Sequence, residues 1–275
     1  MAAYQGLYID GLSDILGEEQ AESELLDFVK SHNFTTLSLY EIQKILHKGD
    51  ISKETTDELA SFISRARNEF GINHIAGIAE NADFFTNVIS KYNSVRGEAA
   101  EKMDVYNVEF EFWNDGPIYD FYCDYYLKPS GLPCDTSGAY TFFKTQFKDI
   151  HQLSVQDKCI CETYVGWPAA QQAKEMLANA NRILVHAYVT DPVEAFEYVK
   201  ERLSYYGIAG KANIIIIFSA EPEFLGPWLN SNKPEEAYTI FLKNYNEDHS
   251  AWKKNIKLLG YQWYVYSELA QALAI

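Results

Sequence analysis

The sequence predicts a closed (β/α)8 barrel that takes up residues 1–275 as one domain, and three observations predict it. The chain has 275 residues, close to the ~250 typical of such barrels. Strand-like runs alternate with amphipathic stretches from one end to the other, the order of parallel α/β architectures. Most strand-like runs also have one polar and one apolar face. The central strands of an open parallel sheet are covered on both sides and read as continuous apolar runs. One polar face per strand instead fits a barrel whose upper interior is a wet pocket.

Eight strands are expected, at Gly6–Asp10, Thr35–Tyr40, Asn73–Glu80, Val105–Trp113, Lys158–Val165, Arg182–Val189, Asn213–Ser219 and Tyr261–Tyr266. The fourth sets Asn107, Glu109, Glu111 and Trp113 against Val108, Phe110 and Phe112; the sixth sets His186 and Tyr188 against Val185, Ala187 and Val189. The eighth sets Gln262, Tyr264 and Tyr266 against Trp263 and Val265, and only the seventh, NIIIIFS, is uniformly apolar. Between them, ESELLDFVKSH, ETTDELASFISRARNEF, AAQQAKEMLANA and VEAFEYVKERLSYYG repeat apolar residues at helical spacing, and several end at Gly or Asn, as helices do. Ser52, Thr55 and Thr56 are candidate N-caps for the second of these. No glycine-rich dinucleotide fingerprint follows the first strand, which argues against an open nucleotide-binding sheet. The longest insertions follow strands 4 and 7, on the rim where barrel active sites form.

Composition narrows the function. With 23 Lys+Arg against 39 Asp+Glu, the net charge is −16. Such a chain offers phosphates no cationic footprint, so neither nucleic acid nor an anionic membrane surface is an expected partner. No apolar run approaches the ~20 residues of a membrane span. The opening MAAYQGLYIDG has neither the basic nor the apolar region of a signal peptide. The short lead-in before the first strand favours a mature secreted or periplasmic chain over a cytoplasmic one. The chain holds 20 Tyr, 16 Phe and 5 Trp, side chains that combine a flat apolar face with, for Tyr and Trp, a polar tip. Sugars need both, because their C–H faces stack and their hydroxyls seek hydrogen-bond partners. Of the four cysteines, Cys159 and Cys161 share a strand face and suit the core. Cys123 and Cys134 flank a short loop and are open to either a disulfide or two thiols. No Cys/His cluster has zinc spacing, no nucleophile elbow appears, and no cofactor is expected.

The fourth strand carries the chemistry. Glu109 and Glu111 share a face with Cα atoms about 6.5–7 Å apart. Two interior carboxylates without a cation on that face resist ionising together, and one should hold its proton toward neutral pH, as a general acid requires. The same register turns Tyr8 and Asp10 inward from strand 1, Tyr40 from strand 2, and Glu162 and Tyr164 from strand 5. His186 and Tyr188 follow from strand 6, Glu221 from just after strand 7, and Tyr264 and Tyr266 from strand 8. Unpaired burial of so many polar groups would cost a few kcal/mol each, so partners, water or a ligand must satisfy them.

Asp104-Val-Tyr-Asn107-Val-Glu109-Phe-Glu111 resembles the D-x-x-D-x-D-x-E strand signature of glycoside hydrolase family 18, the chitinases and endo-β-N-acetylglucosaminidases. The resemblance implies Glu111 as general acid and Glu109 as the carboxylate that orients the substrate's N-acetyl group. It also implies Tyr188 as a holder of the acetamido group and Trp263 as the floor of the sugar site, although alternation puts Trp263 on the outer face. Two positions depart from the signature: Asn107 stands for a carboxylate, and Glu109 is one methylene longer than Asp. The whole chain is also similar to secreted glycosidase-like barrels of Bacteroidetes. A competing pair is Glu111 as acid with Glu221 as nucleophile, which for a retaining enzyme requires carboxyls about 5–5.5 Å apart. The expected function is therefore hydrolysis of a β-linked glycan, N-acetylated glycans included, with Asp10, Tyr40, Asn107, Trp113, Glu162, Tyr164, His186, Tyr188, Trp263, Tyr264 and Tyr266 around the ligand. The alternative is a barrel that binds carbohydrate through the same pocket without cleaving it.

Overall fold

A computed structural model describes residues 4–274. Eight parallel strands close on themselves in chain order: β1 (Tyr4–Ile9), β2 (Thr36–Leu39), β3 (His74–Ala79), β4 (Val105–Val108), β5 (Ile160–Val165), β6 (Arg182–His186), β7 (Ala212–Ser219) and β8 (Ile256–Tyr264). Helices lie between the strands, so the chain forms a (β/α)8 barrel. No helix among the described residues is long and apolar enough to cross a membrane.

The side-chain period of two separates the barrel into two layers. Odd residues of β1, such as Leu7 and Ile9, join Leu37, Leu39, Ile75, Val108, Cys161, Ile183 and Ile214 in the core between strands and helices. Helices meet this layer with one apolar stripe each. Leu25, Leu26 and Val29 supply it from Glu19–Ser31, and Leu59, Phe62, Ile63 and Ala66 supply it from Asp57–Phe70. Each such Leu, Ile, Val or Phe side chain removed from water contributes about 1.5–3 kcal/mol. The helix Asp57–Phe70 ends on Gly71 at φ 76°, a left-handed position that favours glycine. Neither Ser52 nor Thr56 caps that helix through its side chain; Ser52 Oγ instead accepts from the Thr55 N–H, one turn earlier.

The even residues of β1 face the barrel interior, where Tyr4, Tyr8, Ile78, Tyr164, Leu184, Ile215 and Ile217 form a second cluster. The lower half of this interior is polar and closed. Tyr4 Oη donates to Gln262 Oε1 at 2.6 Å, and Gln262 Nε2 donates to Ser38 Oγ at 2.8 Å. Arg182 Nε donates to Glu162 Oε2, while Asn107 Nδ2 donates to Glu162 Oε1 at 2.8 Å. Gly260 (φ 151°) lets β8 pass this layer, because a Cβ there would lie 1.8 Å from the Tyr4 carbonyl oxygen.

Two strands, β4 and β8, depart most from their expected bounds. β4 is assigned only to Val108, because the chain begins to turn after Glu109, whose N–H still bonds Ala79 O at 3.1 Å. β8 begins at Ile256, five positions before the expected Tyr261, and stays registered with β7 through a bulge opposite Ile214/Ile215. It ends at Tyr264, beyond which a helix runs from Tyr266 to Leu273.

Candidate active site at the C-terminal mouth

The β3–β4 ladder places Ala79 beside Val108, and so Glu80 beside Glu109 on the inward face at the strands' C-terminal ends. Both carboxylates line a cavity of about 360 Å³ together with Tyr40, Glu41, Ile78, Asn81, Phe84, Phe121 and Tyr126. Tyr40 Oη donates to Glu109 Oε2, and Tyr126 Oη donates to Glu80 Oε2 at 2.5 Å. Burial pushes the Glu109 carboxyl up to about 7; the Tyr40 hydrogen bond opposes this and the charge of Glu111 adds to it. Glu80 is raised as well, by burial, against the hydrogen bond from Tyr126. Glu109, rather than the Glu111 that the strand signature implies as acid, is thus the carboxyl shifted toward neutrality, mainly by burial and less by the Glu111 charge.

Glu111 lies farther toward the rim. Asn114 Nδ2 donates to its Oε2 at 2.7 Å and Tyr164 Oη to its Oε1 at 3.4 Å. Its backbone N–H donates to Tyr122 Oη at 3.1 Å. Trp113 packs edge-on to Tyr164 at 5.6 Å and covers Gly166 so closely that a Cβ there would lie 2.3 Å from the indole nitrogen. Across the mouth, Tyr8 stacks on Tyr40 at 5.3 Å, and Tyr264 meets Tyr8 and Tyr40 edge-on. Tyr188 sits 6.0 Å from Tyr264 and 4.8 Å from His186. Burial and the Arg202 charge lower the His186 imidazole to about 3, so it is neutral and acts as part of the aromatic wall.

Several expected site residues stand elsewhere, each for a packing reason. Glu162 and Asn107 have no exposed surface; they belong to the closed lower network, where Arg182 on the inward face of β6 supplies the counter-charge. Trp263 is fully buried in the outer layer against Phe218, as its parity requires, and cannot floor a pocket. Tyr266 has left the strand: it opens the last helix and packs on Phe28 at 5.3 Å. Asp10 stands at the rim and accepts hydrogen bonds from the N–H (3.0 Å) and hydroxyl of Ser267, which ties β1 to that helix. Glu221 accepts from Ser219 Oγ at 2.7 Å beyond the end of β7, on the opposite side of the closed barrel from β3, and is not part of the cavity wall. Asp104, the first residue of the strand signature, pairs with Arg67 and with His74 Nδ1 (2.6 Å) and accepts from the Ile75 N–H, at the N-terminal end of the barrel.

Sequence reading missed Glu80, Glu41, Tyr126 and Phe121. Glu80 was readable, since it continues the Ala76, Ile78 inward parity. Tyr126 and Phe121 come from the insertion after β4, a helical segment Ile118–Leu127 whose sequence carries no period that would aim a side chain at the cavity. A disulfide between Cys123 and Cys134 closes that insertion (Cα–Cα 5.0 Å), which decides between the two states left open for these cysteines; Cys159 and Cys161 remain thiols.

The molecule is thus a (β/α)8 barrel whose mouth holds a tyrosine-bound carboxylate pair inside an aromatic ring. No family model matches the chain, and no curated protein matches it with significance. Solved structures do. A family 18 chitinase from Pseudoalteromonas aurantia aligns at TM-score 0.54 and 10% identity over 98% of this chain and 100% of its own. The catalytic domain of a β-amylase from Paenibacillus polymyxa aligns at 0.55 and 7% identity, over 98% and 94%. The YdjI aldolase from Escherichia coli K12 aligns at 0.52 and 9% identity, over 98% and 77%. At these identities the likeness is one of fold, shared by glycoside hydrolases and by enzymes of other chemistry.

Proposed function

We propose that the chain is a glycoside hydrolase that binds a β-linked glycan at the C-terminal mouth and donates a proton from Glu109. One observation carries this reading: Glu109 lines an open cavity, accepts a hydrogen bond from Tyr40, and is pushed up to about 7 by burial. A carboxyl that keeps its proton near neutral pH can protonate a leaving glycosidic oxygen, a contribution of about 10²–10⁴ in rate. Glu111, the donor implied by the strand signature, is the next carboxylate outward on the same face and adds the negative charge that helps Glu109 retain its proton. Tyr8, Tyr40, Tyr188, Tyr264 and Trp113 supply stacking faces, and the aromatic insertion after β4 extends them. The Cys123–Cys134 disulfide supports an oxidising, secreted or periplasmic location. The likeness to a chitinase and a β-amylase supports carbohydrate chemistry on this fold.

The test is turnover of a panel of chromogenic β-glycosides, chitobiosides included. Glu109→Gln is expected to lower kcat at least about 100-fold with binding retained, and kcat/KM of the wild type to fall as pH rises through about 7. If Glu111→Gln abolishes turnover and Glu109→Gln spares it, the donor is Glu111. A second reading, a carbohydrate-binding barrel without hydrolysis, is favoured by Glu221: it accepts from Ser219 Oγ and does not line the cavity that holds Glu109. Saturable glycan binding with no turnover across the panel selects that reading.

A further inference from the structure

The exposed aromatic side chains among the described residues are Tyr119, Phe121, Tyr125 and Trp167, and all four lie in the segments after β4 and β5, at the C-terminal mouth. Exposed apolar surface gathered at one end of a fold marks a contact region. Trp167 is 52% exposed and yet firmly held. The Arg202 guanidinium lies 4.2 Å from its ring and 4.9 Å from that of Tyr198. Arg202 itself is 2% exposed; its Nη1 donates to Gly166 O at 2.8 Å and its Nη2 to Tyr198 O at 3.2 Å. It has no carboxylate partner among the described residues, and burial lowers it to about 10. A sealed cation without a counter-ion is costly, and this one gives its contacts to Trp167, to the glycine before it and to the tyrosine beside it. Pro168 restricts the Trp167 backbone further. His186 stands edge-on to Trp167 at 5.7 Å; it is 7% exposed, and its two ring nitrogens find no partner among the described residues. Gly166 joins this loop to the rim, because Trp113 covers it and packs on the Tyr164 that bonds Glu111.

We propose that, within the glycan-binding reading on which this rests, Trp167 is the platform of a second subsite, filled by a neutral pyranose unit of the same chain that enters the cavity. The ligand is then an oligosaccharide lying across the mouth, not a single terminal sugar. Phe121 lines the cavity and stacks on the exposed Tyr125 at 4.5 Å, so the aromatic surface runs outward on that side too. The charges select a neutral unit. An indole with a guanidinium already on it is a poor site for a second cation, and the carboxylates of the mouth repel an anion. A pyranose offers a C–H face to the indole and hydroxyls that both donate and accept. Neutral His186 is their complement, with one N–H and one bare ring nitrogen.

The experiment is calorimetric titration of the full chain with the disaccharide and the hexasaccharide of β-1,4-linked glucose and of β-1,4-linked N-acetylglucosamine. At least one hexasaccharide is expected to bind about 10-fold more tightly than its disaccharide. Trp167→Ala is expected to remove at least about five-fold of that gain and to change disaccharide binding less than about two-fold. Trp167→Leu keeps apolar bulk over Arg202 but lacks the flat face, and should lose the gain as well; Trp167→Tyr should keep most of it. Val155→Ala, at an exposed apolar position on the helix before β5, should change nothing. Hexasaccharides that bind no more tightly than disaccharides overturn the subsite and leave the cavity reading standing. So does a gain that survives Trp167→Ala and Trp167→Leu. A hexamer of glucosamine or galacturonic acid that outbinds both neutral ones through Trp167 overturns the assignment of a neutral unit. If no saccharide binds, the glycan reading falls and takes the subsite with it.

Discussion

The lower and upper halves of the barrel interior use the same residue type on the same face to opposite ends. Below, Glu162 has Arg182 and Asn107 on neighbouring strands, and the Tyr4 ring lies 4.8 Å over the Arg182 guanidinium. Its charge is matched and its oxygens are filled, so the layer closes. Above, Glu80 and Glu109 have hydroxyl partners and no cation, and the layer stays open as a cavity. An inward carboxylate is thus structural or chemical according to whether a neighbouring strand supplies a counter-charge. Burial without one is what lifts a carboxyl toward neutrality.

Breaking the lower half tests that comparison most severely. Arg182→Met leaves Glu162 buried without its counter-ion, and chemical denaturation should show a loss of about 3–5 kcal/mol. A loss below about 1 kcal/mol would mean that the pair does not hold the layer. The upper half depends instead on the insertion that carries Tyr126 and Phe121. Replacing Cys123 and Cys134 together by Ser frees a loop spanning 11 positions in sequence, for which chain entropy gives a cost of about 2–3 kcal/mol. Thermal melts of both proteins measure it, and glycan affinity should fall in parallel.

The smallest effect is the most diagnostic. Folding raises the Glu109 carboxyl from its ordinary value of 4.5 to about 7. Between those limits the folded state binds more protons than the unfolded one, so this residue lowers stability progressively as pH rises, and the whole penalty is present above about 7. Glu109→Gln should therefore be more stable than wild type at pH 8 by about 1–3 kcal/mol and gain little at pH 4. Urea denaturation at the two pH values measures the difference; a Gln variant no more stable at pH 8 would mean that Glu109 is not desolvated.

Much of this arrangement was legible in the sequence. A polar-then-apolar alternation with period two assigns every strand residue to a layer, which is why Glu109, Tyr164, His186 and Tyr188 face inward and Trp263 faces outward as their parity requires. Parity says nothing of depth. Glu162 and Glu109 share a face, yet one is sealed beneath the other, because depth follows from how neighbouring strands are staggered. Nor does parity survive the end of a strand. Tyr266 continues the β8 alternation on paper but belongs to a helix. The Asp104–Glu111 signature likewise names residues of both barrel ends, with Asp104 held by Arg67 and His74 far from the mouth.

By itself, then, the amino-acid order determined the barrel, its closure without a nucleotide fingerprint, and the strand that brings paired carboxylates inside. Local patterning suffices for these, because backbone geometry turns a period of two into a face and an alternation of elements into a parallel sheet. Only the tertiary structure decided which carboxylate meets a cation, that Glu80 rather than Glu221 shares the cavity with Glu109, and that the tyrosines of a disulfide-closed insertion complete its wall. Those outcomes rest on the register between strands and the path of a loop, where residues 46 positions apart (Glu80 and Tyr126) are joined by one hydrogen bond, and no local period records such a pairing.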